Sequence, residues 1–203
     1  MADMSDGGFL RKDWPGVSFI VYGRIDSTTT ETVREALESY LDSIGDKLTK
    51  FPKFMQMDRN IPEIRTSQNQ QHYYFDDMRH VEGNVRIGLT EGGLYSPADG
   101  RNIFGYGNHD GSGIFSLARF RKECANKRLF YHRIGKQSIK ILSLALQVSS
   151  CSQLNCIVSY HRHVEDLDRN DSICPKCQKE MIMEINGYLN PVTAQNVISG
   201  SLL

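Results

Sequence analysis

The 203-residue sequence lacks any apolar run near the roughly 20 residues that a membrane-spanning helix needs. Its first 16 residues lack the basic segment followed by an apolar stretch that is typical of a secretory signal. It also lacks a P-loop, a GxSxG motif and a GxGxxG loop before a helix, the common signatures of nucleotide-binding proteins and serine hydrolases. We therefore expect a cytoplasmic or nuclear protein outside those classes.

An excess of charge is absent as well. The chain has 24 Lys and Arg against 24 Asp and Glu, so it has no general attraction to nucleic acid or anionic membrane. A local basic run is interpreted as a solvated face; it consists of Arg119, Arg121, Lys122, Lys127 and Arg128. The hydrophobic fraction of 39% and the length indicate one globular domain with a small appendage, or two small lobes, with a core that needs no disulfides.

The first part of the sequence predicts alternating strands and helices. The β-rich run Val17–Tyr22 indicates a buried strand. Apolar residues at helical spacing between Val33 and Ile44 predict an amphipathic helix, with a capping box at Thr28 and Glu31. Residues 51–57 are predicted as a further strand.

The middle of the sequence predicts three more strands and a long helix. Val85–Thr90 reads as a strand, and Asn102–Tyr106 with Gly113–Phe120 as a hairpin or a pair of edge strands around a turn. Residues 126–149 predict a helix, although their last part alternates like a strand. A last helix is predicted near residues 175–188.

Five cysteines stand out in a chain for which we expect a reducing compartment. Four form two pairs: Cys151 and Cys156 are separated by four residues, and Cys174 and Cys177 by two. This spacing predicts one structural Zn²⁺ held by four thiolates, which leave no position for water or substrate. Ordinary thiols or two disulfides are the alternative. Cys124 lies outside the pattern and is interpreted as a buried apolar residue or a bystander rather than a reactive thiol.

With these cysteines the chain resembles the archaemetzincins, zinc proteases of the metzincin clan whose hallmark is HExxHxxGxxxCx4CxM followed by CxxC. Weaker matches occur upstream in the same order, at Gly88–Glu91, Leu94–Pro97, Asn102–Gly105, Ile114–Arg119 and Leu129–Ile134. The resemblance covers about residues 17 to 185. It implies an α/β fold with a mixed, mostly parallel sheet, packed helices and a zinc-stapled C-terminal subdomain.

We accordingly expect four segments: a polar tail at 1–16, a metzincin-like α/β subdomain at 17–150, a Cys₄ subdomain at 151–190 and a tail at 191–203. The boundary is placed near Ser150, where the cysteine-dominated part begins.

The catalytic half of the hallmark is missing. By resemblance, the three zinc ligands fall on Lys140, Leu144 and Ser150. The general-base glutamate falls on Ile141, the glycine on Gln147 and the Met-turn methionine on Val158. A charged lysine has no lone pair, and leucine and isoleucine have no donor atom. Metal-assisted hydrolysis needs three ligands, an open position and a base. The resemblance therefore implies a pseudoprotease.

Three functions follow as hypotheses. The first is a non-catalytic binding or scaffold subunit that holds an extended peptide at an edge strand, expected near Gly113–Phe120. The second is a metallopeptidase with a rebuilt metal site that uses His132, His161 or His163. The third is a nucleic-acid-binding, zinc-ribbon-like protein, against which the neutral charge argues.

The two apolar replacements bear on the old cleft. We expect Ile141 and Leu144 to fill it rather than to line an open groove, because a void in a core is costly.

Overall fold

The computed structural model describes residues 16–48, 53–59, 70–96, 100–170 and 172–189. Its strands are β1 (Gly16–Tyr22), β2 (Lys53–Arg59), β3 (Val85–Thr90), β4 (Leu94–Tyr95), β5 (Asn102–Ile103), β6 (Gly105–Asn108) and β7 (Ser112–Ser116). Its α-helices are α1 (Ser27–Ser43), α2 (Gln70–Met78), α3 (Ala118–Glu123), α4 (Lys127–Ala145) and α5 (Pro175–Leu189), with 3₁₀ helices at Gly45–Lys47 and Val164–Arg169. The two predicted tails lie outside the described residues, except for Gly16, which begins β1.

The central sheet has five strands in the order β2-β1-β3-β7-β6. Strands β2, β1, β3 and β7 run parallel, and only β6 is antiparallel to its neighbour. A separate two-stranded sheet joins β4 to β5. The predicted mixed, mostly parallel α/β fold is confirmed.

Helices cover both faces of the sheet, which explains why β1 is apolar without alternation. On one face, Phe19 and Val21 belong to the cluster that includes α1, α4 and α5; on the other, Ile20 and Tyr22 pack with α2. The first cluster contains residues on each side of Ser150, so one core joins the two predicted subdomains. The boundary at Ser150 stays a prediction. None of the described helices combines the length and the apolarity that crossing a membrane requires.

The predicted edge strand Gly113–Phe120 is wrong. Strand β7 ends at Ser116 and lies between β3 and β6, and the outer strand on this side is β6. All five residues of β7 are buried, as befits an inner strand, whereas β6 is half-exposed. The Ser116 hydroxyl accepts the N–H of Ala118 at 3.1 Å, and the chain turns there into α3. The predicted hairpin itself is confirmed, since β6 and β7 pair antiparallel.

The start of α1 differs from the expectation. Asp26, not Thr28, is the N-cap, and its carboxylate accepts the N–H of Thr29 at 2.9 Å. The predicted capping box of Thr28 and Glu31 is therefore wrong. An aspartate bonds the free N–H groups of a first turn as well as a threonine does, so the choice between neighbouring caps depends on where the chain leaves β1.

The long predicted helix is confirmed as α4 and ends earlier than the pattern suggested. Its termination is a Schellman motif, in which the N–H of Val148 bonds the carbonyl of Ser143 at 2.9 Å and that of Gln147 bonds Leu144 at 3.0 Å. Gln147 takes the left-handed conformation that this motif requires, with φ of 60°. Glycine usually occupies such a position, and the resemblance places the hallmark glycine at this residue.

Candidate metal centre and cleft

The structure brings the four paired cysteines together. Their sulfur atoms all lie within 4.8 Å of one another, and those of Cys151 and Cys174 are 3.7 Å apart. Two sulfurs on a tetrahedral zinc with bonds of about 2.3 Å are separated by about 3.8 Å. All five cysteines are free thiols, which sets aside the two-disulfide alternative.

Local structure explains how the sulfurs converge. Cys174 immediately precedes α5, Pro175 begins the helix, and Cys177 lies in its first turn. The other pair lies on a loop held by isolated bridges from Cys151 to Ser159 and from Cys156 to Ser172. Two backbone N–H groups point at sulfur, that of Cys174 at Cys156 and that of Gln153 at Cys151, both at 3.4 Å. Such donors stabilise thiolate charge.

The electrostatics of the cluster suit a bound cation. Burial raises the pKa of the thiols of Cys156 and Cys177. A hydrogen bond from the backbone of Cys177 is the main cause that lowers the pKa of Cys174 to about 7. A divalent cation deprotonates coordinating thiols outright. The cluster therefore fits one Zn²⁺, whose four sulfur ligands leave it a structural cross-link.

A cleft of about 430 Å³ lies beside this centre. Lys140 and Leu144 on α4 line it together with Ser150, the three positions where the resemblance places the catalytic ligands. Residues 103–106, which lead from β5 into β6, and residues 160–162 also line it. The three positions, which are four and six residues apart in the sequence, thus line one space.

The expectation that apolar residues fill the cleft is met only by Ile141. Its side chain is fully buried and packs where Gly105 and Gly113 leave room for it. Leu144 approaches Gly107 so closely that a Cβ there would lie 2.7 Å from its own Cβ. Leu144 nevertheless remains half-buried at the wall of an open cleft. The glycines of the hairpin let α4 pack tightly while the space in front of it persists.

The ammonium group of Lys140 is buried at the floor of the cleft. It donates to the carbonyl oxygen of Ser159 and lies 3.1 Å from Nδ1 of His161. Burial lowers the pKa of Lys140 to about 8. Burial first, and then the charge of Lys140, lower the pKa of His161 to about 4. At neutral pH the site therefore contains a cationic lysine that bonds a neutral histidine.

The histidines proposed for a rebuilt metal site do not converge. His161 is buried against Lys140 and Asn170, whereas His163 is exposed at the start of the second 3₁₀ helix and His132 is exposed on α4. Within the described ranges, the four cysteines are the only group of three or more His, Cys, Asp or Glu side chains spaced for a metal ion.

The basic run is solvated as the sequence predicted, except at Arg119, which is half-buried. Arg121 pairs with Asp26 at 2.7 Å and with Glu91 at 2.9 Å. Arg119 lines the cleft and pairs with Glu123 at 2.8 Å. Arg121 is exposed despite its two ion pairs, as are Lys122, Lys127 and Arg128.

Sequence reasoning missed the other cations of the cleft. Arg101 and Arg162 line it together with the exposed ring of Tyr160. These residues stand alone in the sequence and belong to no motif, so no local signal marks them. Cys124, the cysteine outside the pairs, is half-buried and accepts a long 3.5 Å hydrogen bond from Arg133.

Comparison with solved structures identifies the fold. An archaemetzincin from Methanopyrus kandleri superposes with a TM-score of 0.66 and 20% identity, over 84% of this chain and 96% of that one. An archaemetzincin from Archaeoglobus fulgidus, solved in complex with malonate, gives 0.62 and 18%, over 81% and 99%. A zinc-dependent peptidase from Methanocorpusculum labreanum gives 0.61 and 18%, over 82% and 100%.

Sequence comparison alone finds no such relation. No protein-family model matches the sequence. No curated protein matches it either. The resemblance inferred from the cysteine spacing is confirmed by the structural neighbours, and the chain has the fold of the archaemetzincins.

Proposed function

We propose that this chain is a catalytically inactive relative of the archaemetzincins that keeps one structural zinc and uses its former active-site cleft to bind an extended segment of a protein partner. The observation that carries the proposal is the position of Lys140, whose ammonium group lies at the floor of the cleft lined by Leu144 and Ser150. These are the three positions that the family's hallmark assigns to zinc ligands.

Electrostatics oppose a metal ion in that cleft. Lys140 stays protonated at neutral pH, since its pKa is about 8. A single and a double positive charge about 4 Å apart repel each other by roughly 8 kcal/mol at an effective dielectric constant of 20. Leu144 offers no donor atom, and one hydroxyl at Ser150 is a weak ligand by itself. No carboxylate stands at Ile141 to take a proton from water.

The binding half of the proposal rests on the sheet edge. Strand β6 is hydrogen-bonded to β7 on one side only among the described strands. Its first residues form one wall of the cleft, so an extended peptide paired with β6 would run directly above Lys140. Added strands gain affinity from backbone hydrogen bonds and specificity from neighbouring pockets.

The test combines metal analysis with a peptidase assay. Purified protein should contain one zinc per chain by elemental analysis, and a degenerate pool of fluorogenic peptides should remain uncleaved when zinc is added. The Cys124→Ser variant is the matched control, because it removes a thiol outside the cluster and should leave the zinc content unchanged. Zinc-dependent cleavage that disappears in a Lys140→Glu or His161→Ala variant would overturn the proposal in favour of a rebuilt active site.

A further inference from the structure

The lining of the cleft has one sign of charge. Of the 15 lining residues that the structure describes, four are cations and none is Asp or Glu. The cations are Arg101, Arg119, Lys140 and Arg162. The whole chain balances 24 basic against 24 acidic residues, so this concentration does not reflect its composition. A cleft with low-dielectric walls and one sign of charge attracts the opposite charge.

Two of the cations are held in place before any ligand arrives. Arg119 bonds Glu123 at 2.8 Å, and its guanidinium lies 3.9 Å from the centre of the Phe104 ring. It also reaches the carbonyl of Arg162 at 3.4 Å, which connects two walls of the cleft. Lys140 is held by Ser159 and His161. Pre-organised groups lose little conformational entropy on binding.

Two carboxylates lie near these cations. Glu123 is engaged by Arg119, and Asp166 accepts the backbone N–H groups of Arg162 and His163 at 2.9 Å. Neither carboxylate lines the cleft. The side chain of Arg162 is exposed at the rim of the cleft.

We infer that the cleft selects an extended acidic peptide, which pairs with β6 and places a glutamate or aspartate side chain between Arg162, Arg101 and Lys140. This inference rests on the proposed function and adds the chemistry of the ligand. The exposed ring of Tyr160 supplies apolar contact for a flanking residue of the peptide. Guanidinium groups bind carboxylates through paired hydrogen bonds, which favours an acidic side chain over a merely polar one.

A peptide fits better than a nucleic acid. A volume of about 430 Å³ is at the low end for small-ligand sites and admits side chains from one strand rather than a duplex. Nucleic-acid sites are usually broad basic surfaces, and here Arg121 on α3 is tied to Asp26 and Glu91.

The experiment uses fluorescence anisotropy with two labelled decapeptides, acetylated and amidated at their ends, that alternate threonine with glutamate or with glutamine. The glutamate peptide should bind at least tenfold more tightly. The Arg101→Glu and Arg162→Glu variants should weaken it at least tenfold. Arg128→Glu changes the net charge equally on an exposed part of α4 away from the cleft, and should stay within twofold of the unmodified protein.

Each other outcome decides against one proposal. If both peptides bound with equal affinity, the inferred preference for acidic side chains would be wrong, while the proposed peptide-binding function would still hold. An equal loss of affinity in Arg128→Glu would show that net charge, not the cleft, is responsible. A single-stranded DNA of ten nucleotides is measured in the same way. If it bound more tightly than the glutamate peptide, the proposal of a peptide ligand would be wrong. Cleavage of either peptide, seen by mass spectrometry, would refute the proposed function itself.

Discussion

Two regions of this molecule correspond to metal sites, and they differ in how many side chains that can bind a metal they contain. In the cysteine cluster all four donors remain, with sulfur atoms within 4.8 Å of one another. In the neighbouring cleft, Lys140, Leu144 and Ser150 line a space of about 430 Å³ and supply no set of ligands. A structural metal is part of folding, so its donors cannot be lost singly, whereas a catalytic metal contributes chemistry on a scaffold that stands without it.

The contrast extends to how each region connects to the core. Residues 151–174 carry few apolar side chains, and Val158, Val164 and Leu167 are among those buried against the main core. The loop is otherwise fastened by Arg133 to Asp168 at 2.6 Å and by Lys136 to the carbonyl of Leu167 at 2.9 Å. Such sparse packing explains why a metal cross-link is needed there.

The largest expected effect comes from removing half of the cluster. The Cys174→Ser/Cys177→Ser variant should lose its zinc and the ordered structure of the C-terminal part, at a cost of the order of 10 kcal/mol, the scale of structural zinc binding. Elemental analysis and the amide hydrogen-exchange rates of residues 151–189 measure both losses. The Cys124→Ser variant should keep zinc and protection, and a double variant that stayed folded would contradict the structural role.

The comparison can also be broken by rebuilding the lost site. The Lys140→His/Leu144→His/Ser150→His variant should raise the zinc content from one to two per chain, because residues 140 and 144 lie one helical turn apart on α4 and all three positions face one cleft. Lys140→His/Leu144→His/Ser150→Ala, which lacks the third ligand, should bind the second zinc more weakly by at least tenfold. A content that stays at one in both would mean that these positions are not the counterparts of the ligands.

The sequence predicted the parts of the fold that depend on local pattern. The run in β1, the periodicity of α4 and the cysteine spacing each predicted a feature that the structure contains. The order of the strands was not predictable in the same way, and β7 was taken for an edge strand although β6 lies outside it. Neighbours in a sheet are chosen by long-range packing, about which a short extended segment carries little information.

The candidate site divides along the same line. The cysteines and the residues that replace the catalytic ligands follow a spacing, so they could be located in the sequence. Arg101 and Arg162 are isolated in sequence and meet only because β6 and the loop after Ser159 approach α4. The sequence also did not predict that the cleft is open, because this depends on how Gly105 and Gly107 make room for the side chains of α4.

A smaller effect concerns pH. His161 has its pKa lowered to about 4 by burial and by the charge of Lys140, against an ordinary value of 6.5. The unfolded chain therefore binds this proton first as pH falls, so stability present above about pH 6.5 is lost toward pH 4. Between about pH 7 and pH 5, the unmodified protein should lose about 2 kcal/mol more of its unfolding free energy than His161→Gln.

Urea unfolding with saturating zinc measures this difference. The control is His163→Gln, which changes an exposed histidine two residues away and should keep the pH dependence of the unmodified protein. The unfolding free energies of the unmodified protein and of His161→Gln could instead change equally between pH 7 and pH 5. His161 would then gain its proton in the folded state as readily as in the unfolded chain, and Lys140 would not lie against it.

The smallest effect tests the turn that ends α4. Gln147 has a φ of 60° and donates from Nε2 to the carbonyl of His109 at 2.9 Å. Both Gln147→Ala and Gln147→Gly lose this hydrogen bond, but only glycine relieves the left-handed conformation, which costs other residues about 1 kcal/mol. We therefore expect the glycine variant to be about 1 kcal/mol more stable than the alanine variant in chemical unfolding. At Glu35, exposed in the middle of α1, the same pair should show the opposite order by about 1 kcal/mol, because alanine favours a helix interior. If alanine were better at both positions, α4 would not end in the Schellman motif, and the path that brings Ser150 to the cleft and Cys151 to the zinc would have to differ.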